Sequence, residues 1–275
     1  MNGQQETSQN NQKRWSLENK YIVITGGSRG IGNGVVQEAL KQNPAKIVIC
    51  SYSLKELNRA ISSINDPRVT GIECDISVEE GRKRLVTFVL DHLPRLDVLV
   101  NNVGINIRKP VSEQTDEEYF RIMRTNVDST YFLCKHFLPL LQKAQSEGGG
   151  ASIVNVASAA GVQSSGTGAA YGMSKAAVIQ YSKILACEWA KYNIRVNAVA
   201  PWMCMTPMLE AALQGDEKQL DKVYDWTPMG RIAQIHEIVD PIMFLMMDAS
   251  SFITGQCLGV DGGLTAQGYQ GSCVD

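Results

Sequence analysis

Short apolar runs rich in β-branched residues alternate along this chain with longer stretches of helical pattern. The runs are Tyr21–Thr25, Lys46–Ser51, Val69–Cys74, Asp97–Asn101, Ser152–Ala157, Ile194–Val199 and Gln256–Val260. Most are continuous rather than alternating apolar and polar, the pattern of strands covered on both faces. Between them Ser53–Glu56, Ser77–Glu80 and Thr115–Glu118 each place a hydroxyl three residues before a glutamate, which predicts three capping boxes at helix starts. Strand and helix alternating about seven times predict one α/β domain, a Rossmann-type doubly wound parallel sheet of about seven strands with helices on both faces. The domain is expected over residues 15–268, between a glutamine- and asparagine-rich tail (1–14) expected to be disordered and a C-terminal tail (269–275). Gly148-Gly149-Gly150 reads as a loop before the fifth strand, not as a domain boundary.

Composition narrows the function classes. With 275 residues, 44% hydrophobic and 20% charged, the chain is neither disordered nor fibrous. Lysine and arginine number 26 against 28 aspartates and glutamates, so the basic excess of a nucleic-acid binder is missing. The longest apolar stretches, such as Ile242 to Met247, fall short of the ~18 residues of a membrane span, and Met1 to Lys13 is polar, unlike a secretory signal. A soluble, cytoplasmic protein is expected, without nucleic-acid or membrane partners. Seven cysteines form no Cys-x-x-Cys and mostly sit in apolar segments, so buried reduced thiols are expected; with three scattered histidines, no metal site is expected. The unusual item is glycine, 24 residues beside nine prolines.

The first glycine cluster, Thr25-Gly26-Gly27-Ser28-Arg29-Gly30-Ile31-Gly32, follows the first strand and leads into a helical run. There glycines let a pyrophosphate approach a helix N-terminus, whose N–H groups and dipole favour an anion. Glycines also serve ordinary strand-to-helix turns; the strand before and helix after are what favour a dinucleotide. The spacing Thr-Gly-x-x-x-Gly-x-Gly resembles that of the short-chain dehydrogenases/reductases. So do Asn101-Asn102-Val103-Gly104, Asn126, Ser158 thirteen residues before Tyr171, Tyr171-x-x-x-Lys175 and Asp261-Gly262-Gly263, in the order of that family. Leu185–Ala190, Asn193–Asn197 and Thr227–Arg231 look most like its tropinone-reductase-like group.

Tyr171 and Lys175, four apart on a predicted helix, project from one face. A phenol of pKa about 10 is a poor acid or base near neutrality, and an adjacent ammonium favours its ionised form. Tyr171 is therefore the expected general acid, Lys175 its pKa-lowering partner and ribose anchor, and Ser158 the donor to a substrate carbonyl. A buried tyrosine with a snorkelling lysine, and a serine that only caps a turn, are the plain alternatives for each taken singly. The resemblance implies that Asn126 supports a water relay through Lys175. It also implies that Asn102 and Gly104 lie at the cofactor, Asp75 at the adenine and Thr206 at the nicotinamide carboxamide or a phosphate.

The stretch Ile49–Ser53 carries no carboxylate for an adenosine ribose, which admits a 2′-phosphate and favours NADP(H). Arg29 is placed to pair with that phosphate and Ser51 and Ser53 to add hydroxyls, although Arg29 is equally at home in solvent. Within the turn, Gly26, Ser28, Arg29, Gly30, Ile31 and Gly32 are the expected cofactor contacts. Where the family has Pro-Gly, this chain has Pro201-Trp202. The segment from Met203 to Met229 is expected to be a mobile lid, and its methionines and Trp226 either line the site of a bulky apolar ketone or pack the lid down. Gly161–Ala169, without charge, is the expected opposite wall, with Arg108 available for a charge contact. The expected activity is NADP(H)-dependent reduction of a ketone, cyclic or bicyclic ones included, to a secondary alcohol. A 3-oxoacyl-thioester reductase, an NAD-dependent alcohol dehydrogenase and a cofactor-binding scaffold without turnover are the alternatives. The resemblance also implies a homodimer or homotetramer, with helices Thr115–Gln142 and Tyr171–Lys191 pairing between subunits.

Overall fold

The computed structural model describes residues 13–146, 149–206, 209, 210, 213 and 217–267. The predicted tails lie outside these residues, apart from Lys13 and Arg14, which form a helical turn. Seven parallel strands form one sheet: β1 (Tyr21–Thr25), β2 (Lys46–Ser51), β3 (Val69–Glu73), β4 (Val98–Asn101), β5 (Ala151–Val156), β6 (Ile194–Pro201) and β7 (Cys257–Val260). Their order is β3-β2-β1-β4-β5-β6-β7, so the chain reverses its direction of travel between β1 and β4. That switch point opens a crevice at the C-terminal strand ends, the usual ligand position in such sheets.

Successive residues of β1 enter opposite layers. Ile22 and Ile24 pack with Val35 and Val36 of α1 (Gly30–Leu40) and with Ile238 and Ile242 of the last long helix, while Val23 joins Leu85, Leu133, Phe137 and Leu185 on the other face. All of them are buried, as the continuous apolar runs predicted. Each contributes roughly 1.5–3 kcal/mol of burial.

The remaining helices are α2 (Leu54–Ile64), α3 (Glu79–His92), α4 (Asp116–Met123), α5 (Ser129–Ser146), α6 (Ala169–Trp189), α7 (Asp221–Trp226) and α8 (Ile235–Met246). Of the three predicted capping boxes, Thr115–Glu118 is complete, with Glu118 N donating to Thr115 Oγ1 at 3.3 Å and Thr115 N to Glu118 Oε2 at 3.0 Å. Ser53 makes half of one: its hydroxyl accepts from Glu56 N, but its own N–H goes to Ser51 Oγ. Ser77 makes none. Asp75 Oδ1 takes both the Ser77 N–H (2.9 Å) and its hydroxyl (2.6 Å), which leaves Val78 as an uncapping N-cap of α3. At α8 an unpredicted half-box forms, in which Gln234 N donates to Glu237 Oε2 at 2.8 Å.

The helix expected over Thr115–Gln142 is instead α4 and α5 joined by a π-turn, Arg124–Asp128. Of the described cysteines, Cys50, Cys74, Cys134 and Cys204 are buried, but Cys187 is exposed. No helix among the described residues is long and apolar enough to cross a membrane.

Candidate active site

The glycine turn between β1 and α1 is braced from β4. Thr25 Oγ1 accepts from Asn102 N at 2.9 Å and Val103 N at 3.2 Å, and Asn102 Nδ2 donates to Thr25 O (3.0 Å) and Gly26 O (3.3 Å). Gly32 is closed in, since a side chain there would run into Gly26 O. Gly30 is the opposite case. Its φ of +55° suits glycine, and a Cβ on it would meet only Thr206 Cγ2, at 3.9 Å.

Behind Gly30 the helix start is unprotected: its N-cap, Arg29, offers no side-chain acceptor, and the first turn holds no acidic residue. Free N–H groups at the start of an eleven-residue helix, facing an open glycine, fit a pyrophosphate. Ile31 lies in that first turn, and Thr206 approaches Gly30 from the segment after β6.

Ser28 Oγ donates to Ser51 Oγ at 3.0 Å and ties the turn to the end of β2. The exposed Arg29 next to Ser28 and the Ser51–Ser53 hydroxyls therefore border one edge of the crevice, with Tyr52 77% exposed beside them. Asp75 sits at the end of β3, where one carboxylate oxygen is engaged by Ser77.

The second cluster gathers from four elements. Ser158 follows β5 in extended conformation, accepts from Ala160 N at 3.2 Å, and lies against the Tyr171 phenol. Tyr171 and Lys175 stand one turn apart on α6. Lys175, 3% exposed, donates from Nζ to Val156 O at 2.8 Å, 5.8 Å from the Tyr171 ring centroid. A Cβ on Gly104 would fall 2.9 Å from Lys175 Nζ and 3.5 Å from Asn126 Oδ1, so these three converge.

Asn126 owes its place to the π-turn, which interrupts the regular ladder and aims the amide at the loop after β4. Its Nδ2 donates to Ile105 O and to Ser174 Oγ, both at 2.9 Å, and its Oδ1 accepts from Ile105 N at 2.8 Å. Ser174 Oγ in turn donates to Tyr171 O at 2.7 Å. The sequence reading missed Ser174, for which adjacency to Lys175 is the only local signal; the run of weak helix formers Thr125-Asn126-Val127-Asp128 was the signal for the π-turn.

Burial raises the Tyr171 pKa, and the Ser158 hydroxyl pulls it back. The Lys175 ammonium is turned to the Val156 carbonyl, and burial depresses its own pKa to about 8. Arg108, the candidate charge contact, donates Nε to Gly166 O at 3.0 Å and so ties the loop after β4 to the Gly161–Ala169 wall, helped by Asn106 Nδ2 on Thr167 O.

A family model described as "Enoyl-(Acyl carrier protein) reductase" matches residues 26–265. A tropinone reductase homolog of Arabidopsis thaliana is 42% identical over 260 residues, 94% of this chain and 96% of that protein. One from Datura stramonium is 39% identical over 262 residues, 94% and 96% of the two chains. Among solved structures, the RhlG/NADP active-site complex of Pseudomonas aeruginosa superposes with a TM-score of 0.86 at 30% identity, covering 92% of this chain and 99% of that one. A dinucleotide-type sheet with a serine, a tyrosine and a lysine at its switch-point crevice thus has its relatives among oxidoreductases. The chain belongs to the short-chain dehydrogenase/reductase family, on the side of the tropinone-reductase-like group.

Proposed function

We propose that the protein reduces a ketone to a secondary alcohol with NADP(H). The observation that carries the reading is the convergence of Lys175 Nζ and Asn126 Oδ1 at Gly104, with Tyr171 one turn before Lys175 on α6 and Ser158 in the extended turn after β5. The nicotinamide cofactor, when bound, supplies the hydride. Ser158 donates a hydrogen bond to the carbonyl oxygen as negative charge grows there. Tyr171 gives up its phenolic proton to that oxygen, a step worth about 10²–10⁴-fold. Its raised pKa keeps the proton in place near neutrality, which suits reduction. Lys175 anchors the ribose hydroxyls and, with Asn126, returns a proton to Tyr171.

The preference for NADP(H) is supported by the missing carboxylate at Ser51–Ser53 and by the exposed Arg29 beside Ser28 and Ser51. Gly26, Gly30, Ile31, Gly32, Asn102, Gly104 and Thr206 form the remaining cofactor wall, and Asp75 keeps one carboxylate oxygen for the adenine. The uncharged Gly161–Ala169 wall and the apolar side chains after β6 favour a bulky apolar ketone, as does the kinship with tropinone reductase homologs.

A panel of cyclic, bicyclic and acyl-thioester ketones with NADPH tests this. At least one cyclic or bicyclic member is expected to turn over, and Tyr171→Phe to lose about 10²-fold or more while still binding NADPH. Silence across the panel, or undiminished turnover in Tyr171→Phe, sinks the mechanism, and turnover of thioesters alone moves the substrate class. Arg29→Ala is expected to weaken NADPH about tenfold or more and NADH hardly at all, the loss of a charge-assisted phosphate contact. Equal losses would place 2′-phosphate recognition elsewhere.

A further inference from the structure

Trp202 stands at the C-terminal end of the sheet, immediately after β6, and its backbone N–H extends the pairing with β7 by donating to Val260 O at 3.1 Å. The indole leaves the sheet. Its Nε1–H donates to Thr227 Oγ1 at 3.1 Å, twenty-five residues on, at the far end of the segment that follows β6. Thr227 is buried, and its hydroxyl proton goes to Val223 O of α7 at 2.6 Å, so one oxygen serves both the indole and the helix.

From Thr227 the contacts continue to the closing turn. A side chain on Gly262 would meet Thr227 Cγ2 at 2.7 Å, and Met229 N donates to Gly262 O at 3.1 Å. Asp261 holds that turn rigid through Gly263 N and Thr265 N, and the turn reaches the opposite wall, where Gln163 Nε2 donates to Leu264 O at 3.4 Å. Between these ties Trp226 and Met229 are left 46% and 62% exposed. Trp202 thus links this ladder to the end of β6, the strand that pairs with β5, which Ser158 follows.

We propose that Trp202, through its hydrogen bond to Thr227, is a positioning residue that sets how far the Trp226–Met229 stretch stands from the ketone site, and so the size of ketone accepted. The inference rests on the ketone-reductase reading above. A wall of Trp226, Pro228 and Met229, mostly apolar and with the Thr227 hydroxyl already bonded, selects mainly on bulk.

The test uses Trp202→Phe, which keeps an aromatic ring and removes the donor, Thr227→Val, which keeps the shape and removes the acceptor, and Thr227→Ser, which keeps the acceptor. For a bulky ketone, KM is expected to change about two- to tenfold in Trp202→Phe and Thr227→Val, the worth of one hydrogen bond. KM for NADPH and kcat for a small ketone should stay at wild-type values. Thr227→Ser should behave as wild type, and the double variant Trp202→Phe/Thr227→Val no worse than Thr227→Val alone.

Hydrogen exchange of peptides covering residues 217–230 should quicken in both variants, and more in Thr227→Val, which also loses the bond to Val223 O. Unchanged ketone preference in both variants, additive losses, or a Thr227→Ser variant as impaired as Thr227→Val would overturn the proposal in favour of plain packing. A wild-type protein that turned over no ketone would remove the functional reading and the size-setting role with it, while exchange would still decide whether the bond anchors the segment.

Discussion

Lys175 holds its ammonium inside the protein against Val156 O, and the cost shows in a pKa depressed to about 8. In the unfolded chain a lysine titrates near 10.4. Below about pH 8 both states are protonated and burial of the charge destabilises the fold, by about 3 kcal/mol at this shift. Between about 8 and 10.4 the unfolded chain holds more protons than the native one, so this group's contribution to stability rises with pH. Urea unfolding should therefore show Lys175→Met gaining on wild type at pH 7 and losing that advantage by pH 10. A difference constant across the range would mean that Lys175 titrates normally. The proposed catalysis runs the other way: if the Lys175 ammonium anchors ribose as proposed, it is present only below about pH 8, and the proposed ketone reduction should fall as pH rises through that value. The same residue shows where sequence reasoning stops. The spacing from Tyr171 placed both on one helix face, but which carbonyl the ammonium chooses depends on β5, nineteen residues away.

At the scale of elements, helix starts separate the legible from the hidden. Thr115 and Ser77 present the same four-residue signature, and only Thr115 forms the box. Ser77 is taken by Asp75 two residues earlier, a local competition that a spacing rule does not see. Thr115→Ala should therefore cost about 1 kcal/mol in urea unfolding, and Ser77→Ala should cost α3 no cap at all. Equal losses would contradict the difference in caps. The π-turn was hidden for another reason. Arg124–Asp128 reads as weak helix, and its widening is fixed by the bonds of Asn126 to Ile105 and Ser174, which are tertiary. Strands, by contrast, were legible to within a residue or so at most ends, because burial on both faces writes itself into consecutive positions.

For the molecule as a whole, the parallel sheet was readable from alternation and the dinucleotide turn from the glycines after the first strand, while the strand order and its switch point were not. What joins the two halves at that point was not readable. Asn102 reaches Thr25 O and Gly26 O across 77 and 76 residues of chain. Bonds of such long sequence separation require closure of a long loop, whose entropy cost slows folding. The glycine turn is therefore not a self-standing local motif that a dinucleotide can template in a partly folded chain. Its shape exists only once β4 has docked, so the cofactor stabilises chains that have already assembled their sheet and passes over those that have not. Binding of the dinucleotide is in this sense a check on completed folding as well as a step in the reaction.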